Sequence, residues 1–240
     1  MTRTLWLLLA IFVAPSVLMP RSPDASTIAA AGHLVFILAA ALLFWSAAVA
    51  ASSSIDKIYY QISIAMFIWS AAVVLRVLEP MLRQPAYGTI ADAFWVVGYL
   101  VLIAGAYSWF RSAAPTRSQI LWIVVILISA FSLIYYFFVS PLVEDSRRSD
   151  LLKSLDVFYL AGDLMILGFL SAPASKPGSP GSRLMLCGVL ILLASDILFF
   201  HVATVPASPQ YQYLDIPYTV ADFLLALAGS TQRALLISSH

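Results

Sequence analysis

Hydrophobic residues occur in eight long runs along the chain, and short polar or turn-forming stretches separate the runs. The runs begin near Leu5, Ala29, Ile58, Ile90, Ile120, Leu155, Leu184 and Asp215. Each run has about 20 residues, the length that an α-helix needs to cross a bilayer. No run alternates with the period of two that a membrane-barrel strand requires. The pattern therefore predicts an all-α integral membrane protein with eight transmembrane helices.

The composition agrees with a membrane protein. Hydrophobic residues make up 62% of the 240 residues, charged residues make up 10%, and the mean hydropathy is +0.93. Eight spans leave no room for a folded soluble domain, so we expect a single membrane domain over 1–240 whose main partner is the lipid bilayer. The net charge of +1 supplies no basic surface that would attract nucleic acid. The single cysteine excludes an intrachain disulfide.

Four of the predicted helices share a ten-residue frame, which indicates an internal repeat. The segments are HLVFILAAAL from His33, DAFWVVGYLV from Asp92, DVFYLAGDLM from Asp156 and DIPYTVADFL from Asp215. They align without a gap: position one is acidic in three segments, position four is aromatic, and position seven is small. Position eight is Ala40, Tyr99, Asp163 and Asp222. We expect four repeated αα-hairpins, at about 1–54, 55–112, 113–174 and 175–240, with the position-one residues at equivalent depth.

The distribution of Lys and Arg predicts an orientation, because cytoplasmic loops carry an excess of positive residues. Alternating spans place Arg3, Lys57, Arg111, Arg117, Lys176, Arg183 and Arg233 on the side of both termini. The opposite side receives Arg21, Arg83, Arg147, Arg148 and Lys153. We therefore expect a multi-pass protein of the bacterial inner membrane with both termini in the cytoplasm. The first run also resembles a signal peptide, but we expect it to be retained as the partner of the second helix.

Seven of the twelve acidic residues fall in or at the ends of the predicted helices. They are Glu79, Asp92, Asp156, Asp163, Asp196, Asp215 and Asp222. An Asp at the bilayer centre costs about 2.5–3.5 kcal/mol, so these side chains are expected to turn away from lipid. The deeper ones cannot cap a helix and instead predict a polar pocket between the hairpins. The candidate ligand-binding residues are Asp163, Asp196, Asp222, Trp95, Tyr159, Tyr218 and His201.

Asp163 and Asp222 carry the sharpest expectation, because they occupy the same position of the repeat. Neither has a basic residue at matching depth. We expect each carboxyl group to face the bundle interior, and at least one of them to be neutral or hydrogen-bonded.

A second set of polar residues has a structural interpretation. Asp92, Asp156 and Asp215 lie near predicted helix starts, where a carboxylate caps backbone N–H groups and is favoured by the helix dipole. Arg76 and Glu79 are three residues apart on one helix face, which predicts an ion pair. Histidines are expected to be hydrogen-bonded interior or interfacial residues. No helix carries a His-x-x-x-His or Glu-x-x-His pair, so the sequence predicts no metal site.

The sequence contains no catalytic signature, such as a Gly-x-Ser-x-Gly, His-Glu-x-x-His or phosphate-binding glycine loop. We therefore expect a protein that is not an enzyme, without a predicted cofactor. The many aromatic residues at span ends are typical of interfacial belts, while a pigment, quinone or lipid ligand remains an alternative.

Four stretches carry a resemblance to a known class of protein domain. They are GTIADAFWVVGYLVLIAG, LDVFYLAGDLMILGF, LLASDILFF and YLDIPYTVADFLLALAG, within 58–233. The pattern resembles the multi-span membrane domains found N-terminal to bacterial diguanylate cyclases and histidine kinases. The resemblance implies a module that senses a membrane or periplasmic signal. No output domain follows within the 240 residues, so we expect a sensor-like binding domain or an accessory subunit of a larger membrane complex.

A small proton- or cation-coupled transporter that uses the intramembrane aspartates is the alternative function. Such carriers usually interrupt their helices at the membrane midplane to form a site. In this sequence Gly and Pro lie mainly at span ends, and Pro217 falls in a first helical turn, where it is tolerated. The sequence therefore favours the binding module over the carrier.

Overall fold

The computed structural model describes residues 2–18, 23–51, 55–78, 90–144, 149–204 and 215–238, which form helices and connecting turns without a strand. The helices are α1 (Thr2–Leu18), α2 (Pro23–Ala50), α3 (Asp56–Leu78), α4 (Ile90–Ser112), α5 (Arg117–Ile134), α6 (Ser140–Glu144), α7 (Asp150–Ser175), α8 (Pro180–Thr204) and α9 (Asp215–Ser238). A π-helical turn, Tyr135–Val139, joins α5 and α6 into one rod. The described residues therefore form eight rods, and the predicted all-α class with eight helices is confirmed.

Local sequence signals account for several helix starts. Thr116 and Gln119 form a capping box at α5: the Thr116 hydroxyl oxygen accepts from the Gln119 N–H at 3.2 Å, and the Gln119 side chain accepts from the Thr116 N–H at 2.9 Å. Ser149 caps α7 by accepting from the Leu152 N–H at 3.4 Å. Pro180 opens α8, at a position where its missing N–H costs nothing.

Among the described residues, seven helices are long and apolar enough to cross a membrane. They are α2, α3, α4, α5 with its π-helical turn, α7, α8 and α9. The eighth, α1, has 17 residues and is shorter than the others. Large apolar side chains such as Leu42, Val97 and Leu190 are exposed, whereas several aspartates are buried. Apolar side chains outside and carboxyl groups inside are typical of a membrane protein.

Six helices form a closed ring in the order α2, α3, α4, α7, α8, α9. Each helix packs against the next, and α9 returns to α2 through the most extensive helix interface in the described structure. The largest fully buried side chains of the ring are Phe36, Ile37, Phe44, Ile62, Met66, Trp69, Leu102, Leu160, Ile166, Leu170 and Phe223. Because the ring is closed, all six helices share one interior.

The two remaining rods lie outside this ring. α1 packs against both α2 and α9, where Trp6 contacts Phe223 with a ring-centroid distance of 4.6 Å. α5 packs against α7, and its most apolar stretch contains no buried residue. At the C-terminal end of α5, Ile134 and Val139 both contact α7 and α8. The π-helical turn places these two residues, which are five apart, on the same side, because its hydrogen bonds join residues i and i+5.

The four predicted hairpin pairs all make contact, but they do not contribute equally to the ring. The pairs α3 with α4 and α8 with α9 pack extensively, whereas α1 touches α2 and α5 touches α7 over smaller areas. The ring closes through contacts between pairs, namely α2 with α3, α4 with α7, α7 with α8 and α9 with α2. The contacts are thus compatible with a hairpin repeat. The repeat alone does not specify that the hairpins close into a ring.

Candidate polar site inside the helix ring

Polar side chains from all six ring helices meet in the ring interior. Five aspartates are buried, with exposed fractions of 0 to 8%: Asp92, Asp156, Asp163, Asp196 and Asp222. They come from α4, α7, α8 and α9, while α2 and α3 contribute His33 and Arg76. Arg76, Asp92 and Asp156 lie toward the end of the ring where α3 finishes and where α4 and α7 begin, whereas Asp163 lies near the middle of α7. Burial of five carboxyl groups makes this the chemically distinctive region of the molecule.

Asp163 and Asp196, here called the inner pair, form the centre of the site. Their carboxyl groups lie within hydrogen-bonding range of each other. The Tyr99 hydroxyl donates to Asp163 Oδ1 at 2.8 Å, and the Tyr218 hydroxyl donates to Asp196 Oδ1 at 2.5 Å. Because two adjacent carboxylates repel each other, a shared proton or a bound cation must lie between them.

A histidine pairs with the third deep carboxyl group. His33 Nδ1 on α2 contacts Asp222 Oδ2 on α9, and the two residues are 189 positions apart in sequence. The His33 ring stacks on Trp95, with centroids 6.0 Å apart, and meets the Tyr218 ring edge at 6.1 Å. Asp163 and Asp222 are both buried and both hydrogen-bonded, so the expectation for these two carboxyl groups is confirmed.

Arg76 and Asp92 form the outer edge of the site, here called the rim. Arg76 Nη2 donates to Asp92 Oδ1 at 2.7 Å, and the Arg76 side chain is 37% exposed whereas that of Asp92 is 9% exposed. This ion pair joins α3 to α4 rather than two turns of one helix. The predicted pairing of Arg76 with Glu79 falls on a residue outside the described structure.

The capping interpretation of the position-one acids needs correction. Asp156 is the seventh residue of α7, whose start is capped by Ser149, so the prediction that Asp156 caps a helix is wrong. Asp92 does lie in the first turn of its helix, as expected, and it also binds the Arg76 side chain. Asp215 is the first residue of α9, but its side chain lies outside the described structure.

Two buried polar atoms of the site have no hydrogen-bond partner among the described residues. They are Oδ2 of Asp163, a residue with an exposed fraction of 0%, and the hydroxyl oxygen of Tyr159. The Tyr159 hydroxyl lies within electrostatic reach of Asp92, Asp156 and Asp196. It is also within electrostatic reach of Arg76, so it is close to both the rim and the inner pair. A buried polar atom without a partner costs free energy, so each points to a group outside the described residues.

Aromatic rings surround the carboxyl groups on several sides. Tyr99 contacts Trp69 at a centroid distance of 4.9 Å and Tyr159 at 5.4 Å, and Trp69 contacts Trp95 at 5.6 Å. The Trp69 indole N–H also donates to the Trp95 carbonyl oxygen at 3.3 Å. These rings connect α3, α4 and α7, and the Tyr99 hydroxyl joins them to the inner pair. They give the site apolar walls and hydroxyl groups that point to carboxylates.

The structure brings together six of the seven predicted ligand-binding residues, namely Asp163, Asp196, Asp222, Trp95, Tyr159 and Tyr218. The side chain of the seventh, His201, lies outside the described structure. Sequence reasoning did not include His33, Trp69 or Tyr99 in the pocket. Tyr99 shares position eight of the repeat with two site aspartates, so the frame contained a signal for it. Trp69 lies outside the frame, so the sequence contained no signal that it belongs to the site.

The described part of the chain contains no assembled set of metal ligands. No three His, Cys, Asp or Glu side chains there converge to hold an ion. Cys187 is exposed on α8.

Comparison with known proteins gives no relative from which a function could be taken. The chain matches no protein-family model, no curated protein and no solved structure. The resemblance to bacterial sensory membrane domains therefore stays an expectation drawn from the sequence.

Proposed function

We propose that the protein is a non-enzymatic binding module of the bacterial inner membrane, acting as a sensor-like domain or as an accessory subunit of a larger membrane complex. The observation that carries this proposal is the buried acidic site inside the ring. Among the described residues, Arg76 meets Asp92 and His33 meets Asp222, while Asp163 and Asp196 lie beside each other. A proton or a bound cationic group must offset the charge of this inner pair, because uncompensated charges are costly away from water.

The position of the site suits a module that reports occupancy. His33, Arg76, Asp92, Asp163, Asp196 and Asp222 belong to six different helices. A ligand that changes the contacts of one carboxyl group therefore acts on interfaces between helices that are distant in sequence. Such interfaces repack between discrete arrangements rather than deforming continuously. A partner protein that contacts the outside of the ring would receive the change.

A proton- or cation-coupled carrier is the second candidate, and the inner pair is the observation that favours it. Intramembrane carboxyl groups that can hold a proton or a cation are typical of coupled transport. However, α4, α7, α8 and α9 run without interruption past the site residues. Carriers commonly form their sites from broken helices, so continuous helices favour binding over transport.

The proposal includes the topology expected from the sequence. We propose eight spans, with α1 as the eighth, both termini in the cytoplasm and the four-hairpin repeat as the origin of the ring. With this orientation the rim faces the side opposite the termini, because α3 ends there and α4 begins there. The site would then receive a ligand from the periplasmic side or from the membrane.

The test is a comparison of what accompanies the protein during gentle purification from native membranes. Proteins and small molecules that co-purify with the natural chain are identified and compared with those of an Asp163→Asn, Asp196→Asn double variant. We expect the double variant to lose a ligand or partner. Asp150→Asn serves as the matched control, because Asp150 lies on α7 with a fully exposed side chain. Identical co-purifying material from all three proteins would contradict the proposed function.

Reconstitution into liposomes distinguishes the carrier. A proton or cation flux that requires Asp163 and Asp196, and that exceeds the flux through liposomes with the Asp150→Asn control, would replace the binding module with a transporter. Protein-free liposomes give the baseline. We expect no flux above that baseline.

A further inference from the structure

We propose that the site binds a small cation of the ammonium class, an R–NH3⁺ head group, between the Tyr159 hydroxyl and the inner pair. The inference rests on the proposed function and adds the chemistry of the ligand. Three observations carry it: two buried polar atoms without partners, the adjacent carboxyl groups, and the aromatic walls around them. Each restricts the ligand in a different way.

The atoms without partners define what the ligand offers. Asp163 Oδ2 can only accept a hydrogen bond when its carboxyl group is ionised, and the Tyr159 hydroxyl can accept one as well. A ligand that donates two hydrogen bonds would use both oxygen atoms as acceptors. An ammonium head group donates in several directions and carries the charge that the carboxyl groups lack.

The inner pair determines the balance of charge. When the site holds no ligand, one proton shared by Asp163 and Asp196 prevents the repulsion of two carboxylates. When R–NH3⁺ binds, its own charge serves this purpose, and the shared proton leaves to solvent. One cation enters and one proton departs, so the charge of the interior does not change. Tyr99 and Tyr218 continue to donate to the two carboxyl groups in both states.

The aromatic walls favour an organic cation. The rings of Tyr99 and Tyr159 lie 5.4 Å apart, and Trp69 packs on Tyr99 at 4.9 Å. Aromatic faces attract ammonium groups through their quadrupoles and also tolerate an alkyl substituent. An alkali metal ion instead requires several oxygen ligands that converge at short distance. The combination of rings and carboxyl groups fits an alkylammonium ion better.

In this proposal the cation enters the site at the rim, past Arg76 and Asp92. Arg76 is the most exposed charged side chain among the described residues of the site, and its charge would repel a cation if it stood alone. Its bond to Asp92 offsets that charge. The Tyr159 hydroxyl lies within electrostatic reach of Arg76 and Asp92 at the rim and of Asp196 in the inner pair. A cation would thus meet increasing acidity as it moves inward.

The experiment is a calorimetric titration of the purified full chain in lipid nanodiscs with methylammonium chloride, sodium chloride and tetramethylammonium chloride. Titrations in two buffers of different ionisation enthalpy report the protons released. We expect saturable binding of methylammonium with release of about one proton per cation. Sodium ions and tetramethylammonium, which has no N–H donor, should bind at least about tenfold more weakly.

Tyr159→Phe is the decisive variant, because it removes only a hydroxyl group that has no partner in the described structure. A purely structural role predicts no loss of stability and no effect on binding. The proposal predicts normal folding with affinity for methylammonium lowered about tenfold. Tyr136→Phe, at a residue that is 72% exposed, is the matched control. Asp163→Asn should abolish binding, whereas Asp150→Asn should not.

The outcomes separate this inference from the proposed function. Equal binding of tetramethylammonium or sodium ions would overturn the ammonium assignment, as would unchanged affinity in the folded Tyr159→Phe protein. Absence of methylammonium binding, with the co-purifying ligand or partner still dependent on Asp163 and Asp196, would overturn the inference and leave the binding module standing. Independence of all binding from these two aspartates would overturn both.

Discussion

Three buried carboxyl groups of the site differ in the side chain that each of them contacts. Asp163 receives a hydroxyl group from Tyr99, Asp222 contacts His33, and Asp92 binds Arg76. These partners turn similar residues into three different local environments. The first is a carboxyl pair, the second a carboxyl–imidazole pair and the third an ion pair. The residue type alone therefore does not determine the role of a buried aspartate.

The contact between Tyr99 and Asp163 leads to a prediction about stability. Asp163→Asn keeps the shape and an acceptor oxygen for the Tyr99 hydroxyl, so we expect the fold to persist. Asp163→Leu removes the carboxyl group that accepts from Tyr99 and places an apolar side chain beside the Asp196 carboxyl group. It should lower the free energy of unfolding by about 1–3 kcal/mol. Unfolding by sodium dodecyl sulfate in mixed micelles, followed by circular dichroism, measures both variants.

Asp150→Leu is the control for this measurement, since its side chain is fully exposed at the start of the same helix. If Asp163→Leu unfolds at the same detergent fraction as the natural protein, the Tyr99 hydrogen bond does not support the fold. The interior would then owe its stability to apolar packing alone.

At the scale of the helices, small residues allow the close approaches that bring the site together. A Cβ atom added to Gly98 of α4 would lie 2.3 Å from Cδ1 of Trp69 on α3, and one added to Gly162 of α7 would lie 2.8 Å from Cδ1 of Tyr99. Both glycines occupy position seven of the sequence frame. Small residues at regular positions are the usual means by which membrane helices approach each other.

These close contacts predict that Gly98→Ala is destabilising. The new methyl group must push the Trp69 indole away from its contacts with Trp95 and Tyr99. Overpacking of this kind should cost about 1–3 kcal/mol, measured by the same unfolding titration. Ala104→Val adds atoms on an exposed face of the same helix and should be neutral. Equal stability of both variants would contradict the tight packing of α3 against α4.

The position of α5 outside the ring agrees with its pattern of apolar and polar residues. Beyond its first turn, α5 carries no charged residue and only two polar ones, Ser129 and Ser132, so it has no charged group that must turn inward. Its place outside the ring agrees with this, since lipid can cover all of it. The ring helices instead mix apolar residues with single deep polar ones, which must point to the interior. Whether the four hairpins are repeats in three dimensions stays a prediction from the frame.

For the whole molecule, the sequence-based orientation makes a prediction about accessibility. The turn between α7 and α8 and the end of α9 should lie on the same side of the membrane. In a Cys187→Ser background, single cysteines at Ser179 and Ser238 should both react with an impermeant maleimide only after the inner membrane is opened. A cysteine at Ser149, at the other end of α7, should react from the outside. Labelling of Ser179 and Ser238 from different sides would contradict the topology.

The sequence by itself determined the helical class, the number of helices and the inward direction of the deep aspartates. The starts of α3, α4, α5 and α9 lie within about three residues of the predicted starts, because turn residues and loss of apolar character are local signals. Asp163 and Asp222 were expected inside for an equally local reason: a carboxyl group on an apolar helix is costly in lipid.

Only the tertiary structure decided which side chains meet. His33 contacts Asp222 across 189 positions, and Tyr99 reaches Asp163 across 64. Helical periodicity states which face of a helix is polar, but not which other helix packs against that face. That choice depends on the fit of whole helix surfaces and on the closure of α9 onto α2. Arg76 illustrates the difference, since the structure joins it to Asp92 on the neighbouring helix, a contact that spacing within one helix cannot predict.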